Sequence, residues 1–275
     1  MEYLKIIASE LLRVFGALWL LIEATSYFIS SEASQKVKEF WWLFLIVGIV
    51  ISILRLIPKR RFSFVVDDRD VTVELVVGDI FKEDGPVVIG SNTSFVTSPE
   101  IISPKSVQGL FCNKYFPSSI QPVNDQIKSQ VQSFPCDFGT TVTVRGSSKV
   151  GYFCAIAEVN DSGVAKSNIE NLRISLGGLW GYLSDHSEKD IINIPILGSG
   201  FSRIPIKREV LVREILLSFF AAISESTFCD GIRVVIHPAD VKKYSIDIQE
   251  LARFFEYSCK YSISQPAGSG SGVAE

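Results

Sequence analysis

Three short segments carry residue types suited to holding a phosphorylated ligand: Gly78-Asp79-Ile80, Gly90-Ser91-Asn92-Thr93 and Gly198-Ser199-Gly200-Phe201. Each follows an apolar run that reads as a strand, and the third also precedes a helical pattern. A glycine-rich strand-to-helix turn lets backbone N–H groups approach a phosphate, and the helix dipole adds a favourable field. Asp79 brings a carboxylate, an acceptor-only group, which otherwise caps the turn it sits in. Asn92 closes an Asx turn at its strand end or faces a ligand. Lys105, Ser106 and Gln108 lie in the loop leaving the second segment. Lys105 is the cation near the first two segments and could meet a phosphate. Arg203, just after the third segment, is a second candidate. Taken singly, each feature also has an ordinary structural use; their shared position at strand ends is what makes them a candidate site.

Other chemistry finds little support. His237 ends an apolar run before Pro238 and reads as a structural histidine, while His186 lies in a polar stretch. Cys112, Cys136, Cys154, Cys229 and Cys259 are dispersed without a Cys-x-x-Cys pair, so no zinc site is legible and buried free thiols are expected. There is no P-loop, no Gly-x-Ser-x-Gly and no His-Glu-x-x-His, and no cofactor is expected.

The elements that must position these residues begin near residue 62. Strands are expected at 71–77, 86–90, 140–144, 152–159, 190–197 and 232–237. Helices are expected at 168–183, 207–224 and 245–258, the first with Leu172, Leu176, Leu179, Trp180 and Leu183 on one face. Continuously apolar strands alternating with helices imply a largely buried sheet in a three-layer α/β/α domain over residues 62–264. Residues 265–275, rich in Gly, Ser and Ala, have the composition of a flexible tail.

The first 61 residues differ in kind. Residues 40–54 form an uncharged run, with Arg55, Lys59, Arg60 and Arg61 close behind. That pattern reads as a transmembrane helix with Trp41 and Trp42 at one interface and the downstream domain in the cytoplasm. Residues 4–29 read as a second, weaker span, with Lys5, Ser9, Arg13, Gly16, Glu23 and Tyr27 on one stripe. The stripe packs against the other helix or forms a seam between subunits. Residues 30–39 would make the turn of a hairpin, leaving both termini cytoplasmic. Charge follows the same division: residues 1–61 hold eight Lys/Arg against five Glu, and the remainder nineteen Lys/Arg against twenty-five Asp/Glu. An acidic domain argues against a nucleic-acid polymer as partner.

Gly-Asp-Ile, an apolar strand ending in Asn, and then Pro195-Ile196-Leu197-Gly198-Ser199-Gly200-Phe201 resemble the macro-domain family in order and spacing over residues 71 to about 240. With a hydrophobic hairpin ahead and Ile102–Gly109 in place of the usual glycine-rich first loop, the chain resembles the membrane-bound macro effectors of Thoeris anti-phage defence. The resemblance implies a non-enzymatic sensor on the inner membrane. It would bind an ADP-ribose-conjugate signal made from NAD by a Toll/interleukin-receptor-type enzyme, and would then disrupt the lipid bilayer, as a homo-oligomer. It also implies roles. Asp79, beside Ile80, accepts from the adenine amino group, and Asn92 faces the distal ribose. Gly198, Ser199 and Gly200 cradle the diphosphate, and Phe201 packs on the distal ribose. The missing glycine-rich first loop weighs against the alternative, a membrane-tethered ADP-ribosyl hydrolase.

Overall fold

The computed structural model describes residues 2–28, 41–56, 59–67, 69–160, 164–200 and 204–261. The expected turn at 30–39 and tail at 265–275 lie outside them. The chain divides into two compact units, residues 1–59 and 60–275.

The first unit holds two helices, α1 (Glu2–Ser26) and α2 (Trp41–Leu56), packed on each other. Their contact is close because Gly48 has no side chain: a Cβ there would stand 2.7 Å from the Phe15 ring. Leu12, Trp19 and Leu20 of α1 and Ile46, Ile49 and Ile53 of α2 are exposed. The expectation of two membrane-crossing helices is not met by these elements. Among the described residues no helix is long and apolar enough to cross a membrane. The reasons are that α2 has 16 residues, roughly 24 Å of rise, and that the longer α1 carries Lys5, Glu10, Arg13 and Glu23. Arg13 and Glu23 each engage an interaction partner.

The second unit is built on one mixed sheet. Its strands are β1 (Arg61–Val65), β2 (Thr72–Val77), β3 (Val87–Asn92), β4 (Thr141–Arg145), β5 (Val150–Val159), β6 (Ala165–Lys166), β7 (Ile191–Pro195) and β8 (Gly231–Ile236). The order is β1-β2-β8-β7-β3-β5-β4, with β6 paired to β5. The neighbours from β2 to β5 are parallel, and the edge strands β1 and β4 run antiparallel. Helices α3 (Val107–Tyr115), α4 (Gln121–Gln130), α5 (Ile169–His186), α6 (Arg208–Glu225), α7 (Pro238–Tyr244) and α8 (Ile248–Tyr261) complete it.

Strand alternation sends side chains to two cores. Leu75, Val88, Ile156, Ile194 and Val234 meet α5, α6 and α8 on one face. Val76, Ile89, Phe153 and Val235 meet Phe111 and Tyr115 of α3 and Val123 and Ile127 of α4 on the other. This is the three-layer arrangement read from the sequence, with two differences. β1 occupies residues given no element in the sequence, and α3 begins within the loop expected up to Gly109, with α4 in a stretch given no element. α5 starts where its Asn168 cap accepts from Asn171 N at 2.8 Å, and its five expected core residues are all buried.

One strip of the α3/α4 side is polar. The strand register sets Glu74, Arg233 and Asn193 side by side on β2, β8 and β7. Arg233 donates through Nε to Glu74 and through Nη1 to Asn193 Oδ1 at 3.0 Å and Asp84 O at 3.2 Å. Asn193 Nδ2 donates to Asp84 O at 2.7 Å and Pro86 O at 3.0 Å. The row therefore closes the sheet face with the backbone of residues 84–86 instead of a helix. Each buried polar atom named finds its partner there.

All five cysteines are free; four are buried and Cys136 is half-buried. Burial pushes the Cys112 thiol up to about 11 and Cys154, Cys229 and Cys259 up to about 12. Thiolates are the reactive form. An alkylating reagent at pH 8 is therefore expected to leave these four unmodified in the folded chain and to modify all five after denaturation, as counted by intact-mass spectrometry. Rapid native labelling at any of the four would contradict the packing described.

Candidate functional site

Parallel strands share a direction, so the carboxyl ends of β2, β3, β5, β7 and β8 meet at one edge of the sheet. A cavity of about 890 Å³ opens there, lined by the segments that follow β2, β3, β7 and β8. Its apolar walls include Ile80, Ile102, Leu110, Ile156, Leu197 and Val235.

Asp79, Ile80, Asn92, Lys105, Ser106, Gln108, Gly198, Ser199 and Gly200 all line this cavity. Phe201 and Arg203 lie outside the described residues. Residues from three loops separated by up to about 120 positions are thus brought to one place, as their order at strand ends implied.

Local bonding refines what each can do. Asp79 caps a short 3₁₀ turn (Ile80–Lys82), its Oδ1 accepting from Phe81 N at 3.0 Å. A carboxylate has about four acceptor sites, so the cap leaves capacity for a ligand amino group. Asn92 is 3% exposed, and its Oδ1 accepts from Ser94 N at 3.1 Å and Val96 N at 3.2 Å. Two backbone donors fix the amide orientation, so Asn92 can turn only its NH₂ donors toward a ligand.

The expected loop at 105–108 is a correction. Ser106 is the N-cap of α3: its Oγ accepts from Gly109 N at 3.0 Å and donates to Ser103 O at 2.7 Å. Gln108 is in the first turn of α3, buried, and donates through Nε2 to Val96 O at 2.9 Å. Both hold the first loop in shape; Lys105 stays exposed at the cavity.

In the third loop Gly198 has φ +75°, the left-handed region that favours glycine, and a Cβ there would stand 2.3 Å from Ile204 Cδ1. Ser199 Oγ donates to Ile196 O at 2.6 Å, which tightens the turn. Among the described residues, a Cβ at Gly200 would meet nothing within 4 Å. That open space adjoins the cavity and gives a ligand close access to backbone.

The family model described as Thoeris protein ThsA, Macro domain, matches residues 73–237, more than half of the chain and all of the cavity-forming strands. The chain belongs to this ThsA macro-domain family. Its fold is similar to that of the Oceanobacillus iheyensis macrodomain, solved with ADP, at a TM-score of 0.53 and 17% identity over 73% of this chain and 100% of that one. A variant of the same macrodomain, solved with ADPR, is similar at a TM-score of 0.51 and 17% identity, over 70% of this chain and 97% of that one. No curated protein matches the chain in sequence.

The ThsA-type cavity also has walls that the sequence reading missed. Asn113 and Lys114 of α3, Val159, Val164 and Ala165 at the β5–β6 turn, and His237 and Asp240 at the start of α7 all line it. Lys114 Nζ donates to Phe81 O at 3.3 Å and lies 5.7 Å from the Phe81 ring centre. The Ser106 cap followed by Phe111, Cys112 and Tyr115 was a legible signal for α3. His237 is structural as expected, its Nδ1 accepting from Ala239 N at 3.2 Å as the cap of α7. Among the described residues no group of three His, Cys, Asp or Glu could hold a metal ion.

Proposed function

We propose that this chain is a membrane-anchored effector whose ThsA macro domain, residues 62–264, binds an ADP-ribose-conjugate signal and passes its arrival to a hydrophobic anchor, residues 1–61. The observation that carries the ligand is the third loop: left-handed Gly198 and open space at Gly200, beside an apolar cavity with Asp79 across it. Backbone N–H groups suit a diphosphate, the apolar wall suits a base, and Asp79 suits an amino group. The ADP and ADPR in the similar macrodomain structures fit the same chemistry. The anchor is supported by the apolar side chains that α1 and α2 leave exposed, at about 25 cal/mol per Å² in water. We place it on the inner membrane with both termini and the macro domain cytoplasmic. It would act as a homo-oligomer, with an NAD-consuming Toll/interleukin-receptor-type enzyme supplying the signal and bilayer disruption as the output. Asn92 supports binding over hydrolysis, because its carbonyl oxygen already accepts from two backbone N–H groups, which occupy both lone pairs.

Titration calorimetry of the detergent-solubilised chain with ADP-ribose tests the reading. Saturable heat is expected for ADP-ribose. Asp79→Ala should weaken it by about 1.5–3 kcal/mol, the usual size for a hydrogen bond to a charged group. A folded sample that gives no heat with ADP-ribose or its conjugates would falsify the proposal. Unchanged affinity in Asp79→Ala would place the base elsewhere.

A further inference from the structure

The Asp79 turn is fastened on both flanks to the same two residues. On one side Val77 N, just before Gly78, donates to Arg60 O at 2.7 Å. On the other side Arg61 Nη2 donates to the Glu83 carboxylate, just after the 3₁₀ turn Ile80–Lys82. The same guanidinium donates through Nη1 to Glu74 Oε2 at 2.9 Å. Arg60 opens the second unit and Arg61 opens β1, so these are the residues by which the chain enters the sheet. β1 is also an edge strand, paired with β2 alone. Edge strands with one ladder are where a sheet opens first.

We propose that Arg61 is a positioning residue that couples occupation of the cavity to the stability of β1. The inference rests on the ADP-ribose reading above and goes beyond it. A ligand that holds Asp79 and Ile80 restrains residues 78–82, and both ends of that segment are bonded to residues 60–61. The Val77–Arg60 bond continues the β1–β2 ladder with or without ligand, so the ligand-dependent restraint passes to β1 through the Arg61 side chain. The reverse also holds: a firmly paired β1 favours the ligand-competent turn, by the same free energy. Arg61 suits the task because one planar fork reaches two carboxylates at once. Its loss leaves the turn folded, since Arg233 still lies 3.5 Å from Glu83 and bonds Asp84 O. Arg61 itself is nearly half exposed and lines no part of the cavity.

The test is amide hydrogen exchange on the full chain with and without saturating ADP-ribose, in the parent and in Arg61→Met. Binding is expected to slow exchange at 79–82 in both. In the parent it should also slow exchange at 61–65 by at least about threefold; in Arg61→Met that second effect should vanish, with affinity changed by less than about threefold. A merely structural Arg61 would loosen β1 equally with and without ligand, so the ligand-dependent difference is the readout. Arg61→Lys, which keeps the charge but lacks the fork, serves if Arg61→Met fails to fold; it should retain less than half of the β1 effect. Persistence of β1 protection in the variant overturns the coupling, as does its absence in a parent whose 79–82 segment is protected. Absence of protection at 79–82 in the parent removes the ADP-ribose reading and the coupling with it.

Discussion

Gly200→Val is expected to reduce ADP-ribose affinity by at least about a hundredfold, ~2.7 kcal/mol, while leaving thermal stability unchanged. Among the described residues a Cβ at position 200 meets no atom within 4 Å, so the folded domain should accommodate the substitution. The branched side chain then stands in the space through which a diphosphate would reach backbone N–H groups. Gly198→Val should behave differently. Its φ of +75° disfavours any branched residue, and its Cβ would overlap Ile204, which is 2% exposed in the core. That variant should lose stability as well as affinity. The pair separates the two roles of one loop, and calorimetry beside a thermal melt reads them. Full affinity in a folded Gly200→Val sample would place the diphosphate away from this turn.

Arg233→Met should lower the stability of the second unit by about 3 kcal/mol, read as a fall in urea midpoint at constant slope. Arg233 and Glu74 are about one-tenth exposed, and Arg233 also supports Asn193 and the carbonyl of Asp84. Removing it leaves Glu74, in a poorly solvated place, with Arg61 alone and takes the donor from Asn193 Oδ1, while Asp84 O keeps Asn193 Nδ2. The expected loss sits at the low end of the range for broken buried pairs because Arg61 still reaches Glu74 and Glu83. Replacing Glu74 with Gln in the same chain should recover part of it, since no stranded charge remains. A loss below about 0.5 kcal/mol in Arg233→Met would mean the row is solvated and contributes little.

The resemblance to the macro domains of Thoeris defence named the family correctly, and the reason is local. Gly-Asp-Ile, the strand-ending Asn92 and Gly198-Ser199-Gly200 need particular backbone geometries within a few residues of themselves. Such needs are visible in residue type. Most strand positions were legible for a similar reason: buried parallel strands must be largely apolar, and 86–90, 190–197 and 232–237 are, apart from Asp190, Asn193, Arg233 and His237. The helix at 168–183 announced itself through apolar spacing and an Asn cap.

α4 was not legible, because its sequence, QPVNDQIKSQ, offers only Val123 and Ile127 to the core. Those two suffice because Tyr115 and Phe111 fill the rest of that face, which no reading of α4 alone can tell. α3 carried a legible cap in Ser106, but Gly109 in its first turns reads as loop, and its place there is explained by Ser103 O, 2.3 Å from where a Cβ would stand. Lys105, Ser106 and Gln108 were grouped as one loop, whereas the fold gives them three different tasks.

The sequence by itself determined which loops line the cavity at the carboxyl edge of the sheet and in what order they fall. Those features depend on backbone angles and donor types within single turns. Only the tertiary structure decided that Arg61 spans Glu74 and Glu83. It alone set Arg233 beside Glu74, a partner 159 positions away. The physical reason is strand register. It is chosen by the summed burial of whole sheet faces, and it selects which distant polar groups become neighbours.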